Sequence, residues 1–155
     1  LNAPAPEAPF MTSKVFRHKP LAMDELLGRV EPDGRVYESR LGPDKFIGRV
    51  ETDNGKIYES RIGPDKYVGR VELDTGKVYR AKVGPDEYLG RVNGEGEFHR
   101  HRALGADAYM GKLTEMASYA HGGAAFILLA LPAWDKAQAA KADDAETPSQ
   151  PPAPA

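Results

Sequence analysis

Apolar and polar positions alternate in short runs from Lys14 to Leu113, as in Lys66-Tyr-Val-Gly-Arg-Val71, Lys77-Val-Tyr-Arg80 and Glu87-Tyr-Leu-Gly-Arg-Val92. Runs of five or six residues rich in Val, Ile and Tyr predict strands. A Gly or Pro falls every few positions, which argues against helix. The runs recur about every 21 residues. Gly-Arg-Val stands at Gly28, Gly48, Gly69 and Gly90, with a decayed copy at Gly111-Lys112-Leu113. Turn signals follow each copy at 32–34, 53–55, 74–76 and 94–96. Next come the apolar-aromatic steps Val36-Tyr37, Ile57-Tyr58, Val78-Tyr79 and Phe98-His99. Gly-Pro-Asp closes the unit at 42–44, 63–65 and 84–86, weakened to Gly105-Ala106-Asp107. An aromatic (Phe46, Tyr67, Tyr88, Tyr109) leads into the next copy. Lys14–Lys19 matches Lys77–Lys82, so residues 14–113 are expected to hold ten short strands.

The expected fold is therefore mainly β: repeated antiparallel hairpins followed by one apolar C-terminal helix. Asp-Asn-Gly and Asp-Thr-Gly supply the positive φ of a tight hairpin turn, and proline fixes the second turn. Strict alternation would send Tyr67, Gly69 and Val71 to one face and Val68, Arg70 and Glu72 to the other. The glycine between aromatic and valine leaves room for a neighbouring ring or backbone. One hairpin cannot bury its apolar face alone, so the copies must stack or surround an axis.

The pattern changes after residue 113. Met116 to Trp134 holds no Asp, Glu, Lys or Arg, and Ala124 to Leu131 is wholly apolar. A membrane span needs about 20 apolar residues. Ser118, His121, Gly122-Gly123 and Pro132 interrupt this segment, while Trp134 before Lys136 resembles an interfacial anchor. Three placements follow: a plug packed inside the hairpins, a seam joining identical helices and touching lipid, or a single span. The domain division is then a flexible leader (1–13, with Met11 a plausible start), the hairpin domain (14–113), an apolar helix for oligomerisation and membrane association (114–134), and a disordered Ala/Pro-rich tail (135–155).

Charge changes little, since 21 Lys and Arg face 23 Asp and Glu among 155 residues, and no field draws in nucleic acid. Cysteine is absent, which excludes disulfides and thiolate chemistry and suits the cytoplasm. Leu1 to Lys14 has no basic region followed by an apolar run, so it is not expected to act as a secretory signal. No catalytic constellation emerges, and Ser39 and Ser60 share one repeat slot as strand positions. His99 and His101, two apart on a strand, are the one place for a metal or an anion, but Arg100 and Arg102 oppose a cation, and the expectation is no metal site. Arg29, Arg49, Arg70 and Arg91 tempt toward a phosphate-binding ring. Each precedes Glu or Asn by two residues, and Glu38, Glu59 and Arg80 lie across the hairpin, so solvent-face charge pairs are the simpler reading.

The repeated phrase, Gly-Arg-Val, turn Gly, Val/Ile-Tyr, Leu/Ile/Val-Gly, Phe/Tyr and Gly-Arg-Val again, resembles the bacterial four-fold β-flower domain, whose hairpin petals surround a pseudo-four-fold axis. That resemblance implies a fold and no general activity. In size, tail composition and the apolar segment after a β-rich part, the chain is also similar to the small scaffold subunit of actinobacterial group 2a nickel–iron uptake hydrogenases. This second likeness implies a non-catalytic scaffold that homo-oligomerises through the C-terminal helix and holds larger redox-enzyme subunits. Such a scaffold would be cytoplasmic, peripherally associated with the inner membrane surface, and would shelter or conduct menaquinone with no covalently bound cofactor. Phe126, Ile127, Leu129 and Leu131 would line the quinone path, with Leu128, Gly122, Gly123 and Trp134 at the interface between copies. The alternative is a stand-alone β-flower binding module whose helix folds back as a plug.

Overall fold

A computed structural model describes residues 12–146. Residues 1–11 and 147–155, which carry most of the expected leader and the end of the expected tail, lie outside the described residues. Ten strands follow in chain order: β1 (Ser13–Arg17), β2 (Glu25–Val30), β3 (Arg35–Glu38), β4 (Lys45–Val50), β5 (Lys56–Glu59), β6 (Lys66–Val71), β7 (Lys77–Arg80), β8 (Glu87–Val92), β9 (Glu97–Arg100) and β10 (Ala108–Leu113). Each pairs antiparallel with its sequence neighbour, and β1 pairs with β10, so the sheet closes into a barrel. Closure joins Val15 to Leu113 and Arg17 to Gly111. The two most divergent copies thus meet each other and complete the circle. Ten strands make five hairpin units around the axis, where the resemblance implied four.

Two kinds of connection mark the two ends. Tight turns at 31–34, 51–55, 72–76 and 93–96 crowd one end; Gly55 and Gly76 there both have φ of 77°, as Asp-x-Gly hairpins require. Longer loops at 18–24, 39–44, 60–65, 81–86 and 101–107 form the other end, the mouth.

A bulge in every unit overturns strict alternation. Ile57 pairs with Gly69 and Tyr58 with Tyr67, so Val68 is the extra residue between them. Val68 therefore turns inward to pack against the core beside Gly69. Tyr67 lies outside, with its ring centroid 5.6 Å from that of Tyr58. Two residues opposing one put consecutive side chains on the same face, which the alternation rule could not anticipate.

The chain then re-enters the barrel at the tight-turn end. Helix α1 (Tyr119–Ala125), a π-helical turn (Phe126–Ala130) and helix α2 (Leu131–Glu146) run along the axis and out of the mouth. Every residue from Ala120 to Leu131 is buried. Eight strands just enclose their own side chains, so a ten-stranded barrel with a valine-rich wall has space for a helix. Val15, Val36, Ile57, Val78 and Phe98 complete that wall, all fully buried. Pro132 has no N–H to bond back to the preceding turn, and the wide π turn sits just ahead of it. Helix continues to Glu146 where disorder was expected from residue 135. Its Ala-rich composition favours propagation once the buried segment has formed a nucleus.

Candidate functional site

The outer wall carries a repeated three-part contact. Arg29, Arg49 and Arg70 each lie over a cross-strand tyrosine, 4.1 Å from Tyr37, 4.3 Å from Tyr58 and 4.2 Å from Tyr79. Each also reaches the Asp of the next Gly-Pro-Asp: Arg29 pairs with Asp44, Arg49 with Asp65 at 3.1 Å, and Arg70 with Asp86 at 3.0 Å. The residue opposite each arginine is thus tyrosine, because the register pairs Gly28 with Glu38. Glu31, two residues on, also accepts from Arg29 at 2.8 Å. That hydrogen bond, with a second from Thr12, holds the Glu31 carboxyl below its ordinary value. Solvent-face charge pairing therefore accounts for three of the four arginines that tempted toward a phosphate ring.

Inside, the glycines of successive strands seat successive helix side chains. A Cβ at Gly28 would meet Leu129 Cδ1 at 3.0 Å, one at Gly48 would meet Leu128 Cδ1 at 2.9 Å, and one at Gly69 would meet Ile127 Cδ1 at 2.7 Å. Three consecutive helix residues thus face three neighbouring hairpins. Phe126 lies deeper, edge-on to Phe98 with centroids 6.0 Å apart. Gly122 and Gly123 face the chain's own Val92 and Val71, which leave no space for a side chain. The residues proposed to line a quinone path or join copies are thus brought together, but inside one barrel. Trp134 packs at the mouth beside Arg17, His18, Lys19 and Tyr109, along a groove of about 300 Å³.

His121 is buried where the helix enters. Its Nε2 donates to the Pro32 carbonyl oxygen at 2.9 Å, and its Nδ1 accepts from the Ser118 hydroxyl at 2.8 Å. Both ring nitrogens are used in fixing the helix to the β2–β3 turn. His99 and His101 do not converge on a metal. His99 packs against Tyr109, while His101 packs against Tyr88 and lies 3.5 Å from Asp107. Among the described residues, no cluster of three or more His, Asp or Glu could hold a metal ion.

The mouth is the remaining concave feature. Between the helix and the splayed hairpins lie grooves of about 270, 350 and 390 Å³. Their floor is Ile127, Leu128, Leu129, Leu131 and Pro132; their walls include Leu27, Ile47 and Val68. Charged groups ring them. A hydrogen bond from Lys82 pulls the Glu87 carboxyl down, and burial pushes the Tyr67 and Tyr88 hydroxyls up. Above the grooves, each mouth loop ends in an exposed aliphatic residue that sequence reasoning passed over as turn material. In four of the five loops the signal was present in the Leu, Ile or Val before the loop glycine.

Together these features define a closed antiparallel hairpin-repeat barrel filled by its own helix, open at one end. Among the described residues, no helix is long and apolar enough to cross a membrane. Comparison with protein-family models, curated proteins and solved structures gives no match to this chain.

Proposed function

We propose that the protein is a non-catalytic docking module: a hairpin barrel stiffened by its own helix, which presents its mouth and the emerging α2 to other macromolecules. The observation that carries this reading is the seating of Ile127, Leu128 and Leu129 on the glycines of β6, β4 and β2. The most apolar segment is thereby used for internal closure. Arg29, Arg49 and Arg70, with their aspartates and tyrosines, are engaged with one another on the outer wall. The reading favours the stand-alone module over a tube of helices from several copies.

Native purification with identification of co-eluting subunits tests it. Stoichiometric partners, or a stable monomer that binds a defined partner, are expected. Turnover of a substrate by the pure chain overturns it.

A second reading has one observation in its favour. The grooves floored by Ile127, Leu128, Leu129 and Leu131 offer an apolar track open at the mouth. In a redox complex of the uptake-hydrogenase kind, an isoprenoid tail of the menaquinone class would lie in them by apolar burial alone. Lipid extraction of a detergent-free preparation, followed by mass spectrometry, tests this. Absence of any long-chain quinone or lipid removes it.

A further inference from the structure

The mouth loops carry exposed aliphatic side chains at a repeated position. Leu41, Ile62 and Val83 are 104%, 107% and 108% exposed, and Leu21 and Leu104 crown the two remaining hairpins at 108% and 90%. Exposed aliphatic side chains in one slot of four of the five units, each just before the loop glycine, form a pattern, unlike the scattered apolar residues of an ordinary surface. Leu21 adds a backbone cost, since it holds φ of 63° in a loop where the other units use glycine.

The three middle tips stand at equal height. The flanking strands pair identically, Tyr37 with Phe46, Tyr58 with Tyr67 and Tyr79 with Tyr88, and the loops between them have the same length. Helix α2 leans to the opposite side, where Trp134, Gln138 and Lys141 share a groove with Arg17, Lys19 and Arg102. Leu41, Ile62 and Val83 are therefore three level prongs with nothing beside them. A Cβ on the glycine following each would meet no atom within 4 Å.

Charge is layered by height. A cation immediately precedes each prong: Arg40, Arg61 and Lys82. The loop acids Asp44, Asp65 and Asp86 are held by Arg29, Arg49 and Arg70 on the neighbouring strand. Glu38, Glu59 and Glu87, which pair with the tip cations at 2.8, 3.5 and 3.1 Å, belong to the strands below.

From this arrangement we infer that the mouth loops dock the barrel onto an anionic lipid surface, with Leu41, Ile62 and Val83 entering the interface and Arg40, Arg61 and Lys82 meeting phosphate headgroups. A protein partner would need three separate pockets at the matching spacing. A bilayer interface accepts level, separate aliphatic prongs without shape complementarity, and long cationic side chains beside them reach the headgroups. The inference rests on the docking-module reading and names the surface that the module meets.

Vesicles of phosphatidylcholine and phosphatidylglycerol in equal parts, mixed with the full chain and floated on a density gradient, provide the test. The chain is expected to float with them. Leu41→Ser, Ile62→Ser and Val83→Ser combined should lower partitioning by about a hundredfold or more, with circular dichroism and thermal midpoint unchanged because the tips touch nothing. Arg40→Gln, Arg61→Gln and Lys82→Gln combined should weaken binding several-fold, and only when phosphatidylglycerol is present. Failure of the unaltered chain to float, or equal flotation of the serine variant, overturns the inference. So does self-association in lipid-free buffer that the serine substitutions abolish, which would make the prongs a contact between copies. No vesicle binding by the unaltered chain alongside intact partner binding would sink the lipid surface and leave the docking module standing.

Discussion

At the scale of single residues, two kinds of glycine do different work. Gly69 has ordinary backbone angles but no room, for a Cβ would strike the Tyr79 carbonyl oxygen and Ile127 Cδ1. Gly69→Ala is expected to cost about 1–3 kcal/mol through overpacking. Gly55 has φ of 77° and also lacks room against the Val71 carbonyl. Gly55→Val should cost at least ~1–3 kcal/mol, since a β-branched residue resists that conformation. Urea unfolding of both variants checks these values. His121→Leu removes the donor to the half-buried Pro32 carbonyl oxygen and should cost about 0.5–1.5 kcal/mol, the net contribution of that hydrogen bond. The lowered pKa of Glu31 also has a pH signature. A carboxyl depressed on folding contributes stability above its unfolded pKa, near 4.5. That contribution is lost as pH falls through the lower folded value. Glu31→Gln should flatten the acid limb of stability against pH below about 4.5 and leave the neutral limb parallel.

Among the elements, the helix decides whether the barrel stands. Its buried segment replaces the side-chain filling that a smaller barrel would provide for itself. Leu128→Asp or Leu129→Asp would place a charge within the barrel among apolar groups, and both variants are expected to lose the cooperative thermal transition instead of merely changing oligomeric state. A chain ended after Lys112 should misfold for the same reason, as read by far-UV circular dichroism and dye binding. A soluble, β-rich product from either change would show that the hairpins close without the plug.

For the whole molecule, closure removes every sheet edge. β1 is the strand that completes the circle, through Val15 to Leu113 on one side and Ser13 to Val30 on the other. A chain begun at Pro20 would expose the unpaired edges of β2 and β10 and is expected to aggregate. Light scattering after refolding would detect this, and a clear monomeric solution would contradict it. A synthetic peptide of residues 12–19 added during refolding should restore solubility by supplying the missing strand.

The sequence alone determined the ten strands, their turns, their antiparallel order and the single apolar helix, because these depend on local signals: glycine at positive φ, proline-locked turns and short β-branched runs. It also determined that Arg29, Arg49 and Arg70 belong to the solvent face. Only the tertiary structure decided that five units close within one chain, since closure depends on whether Val15 meets Leu113 across nearly the whole sequence. The bulges at Ile47 and Val68 were likewise hidden, because an extra residue is defined by the strand it faces. The largest divergence concerns Ile127, Leu128 and Leu129. Hydropathy shows that such residues must leave water, but it is blind to direction, and here the bare glycines of β2, β4 and β6 made the chain's own barrel the place they went.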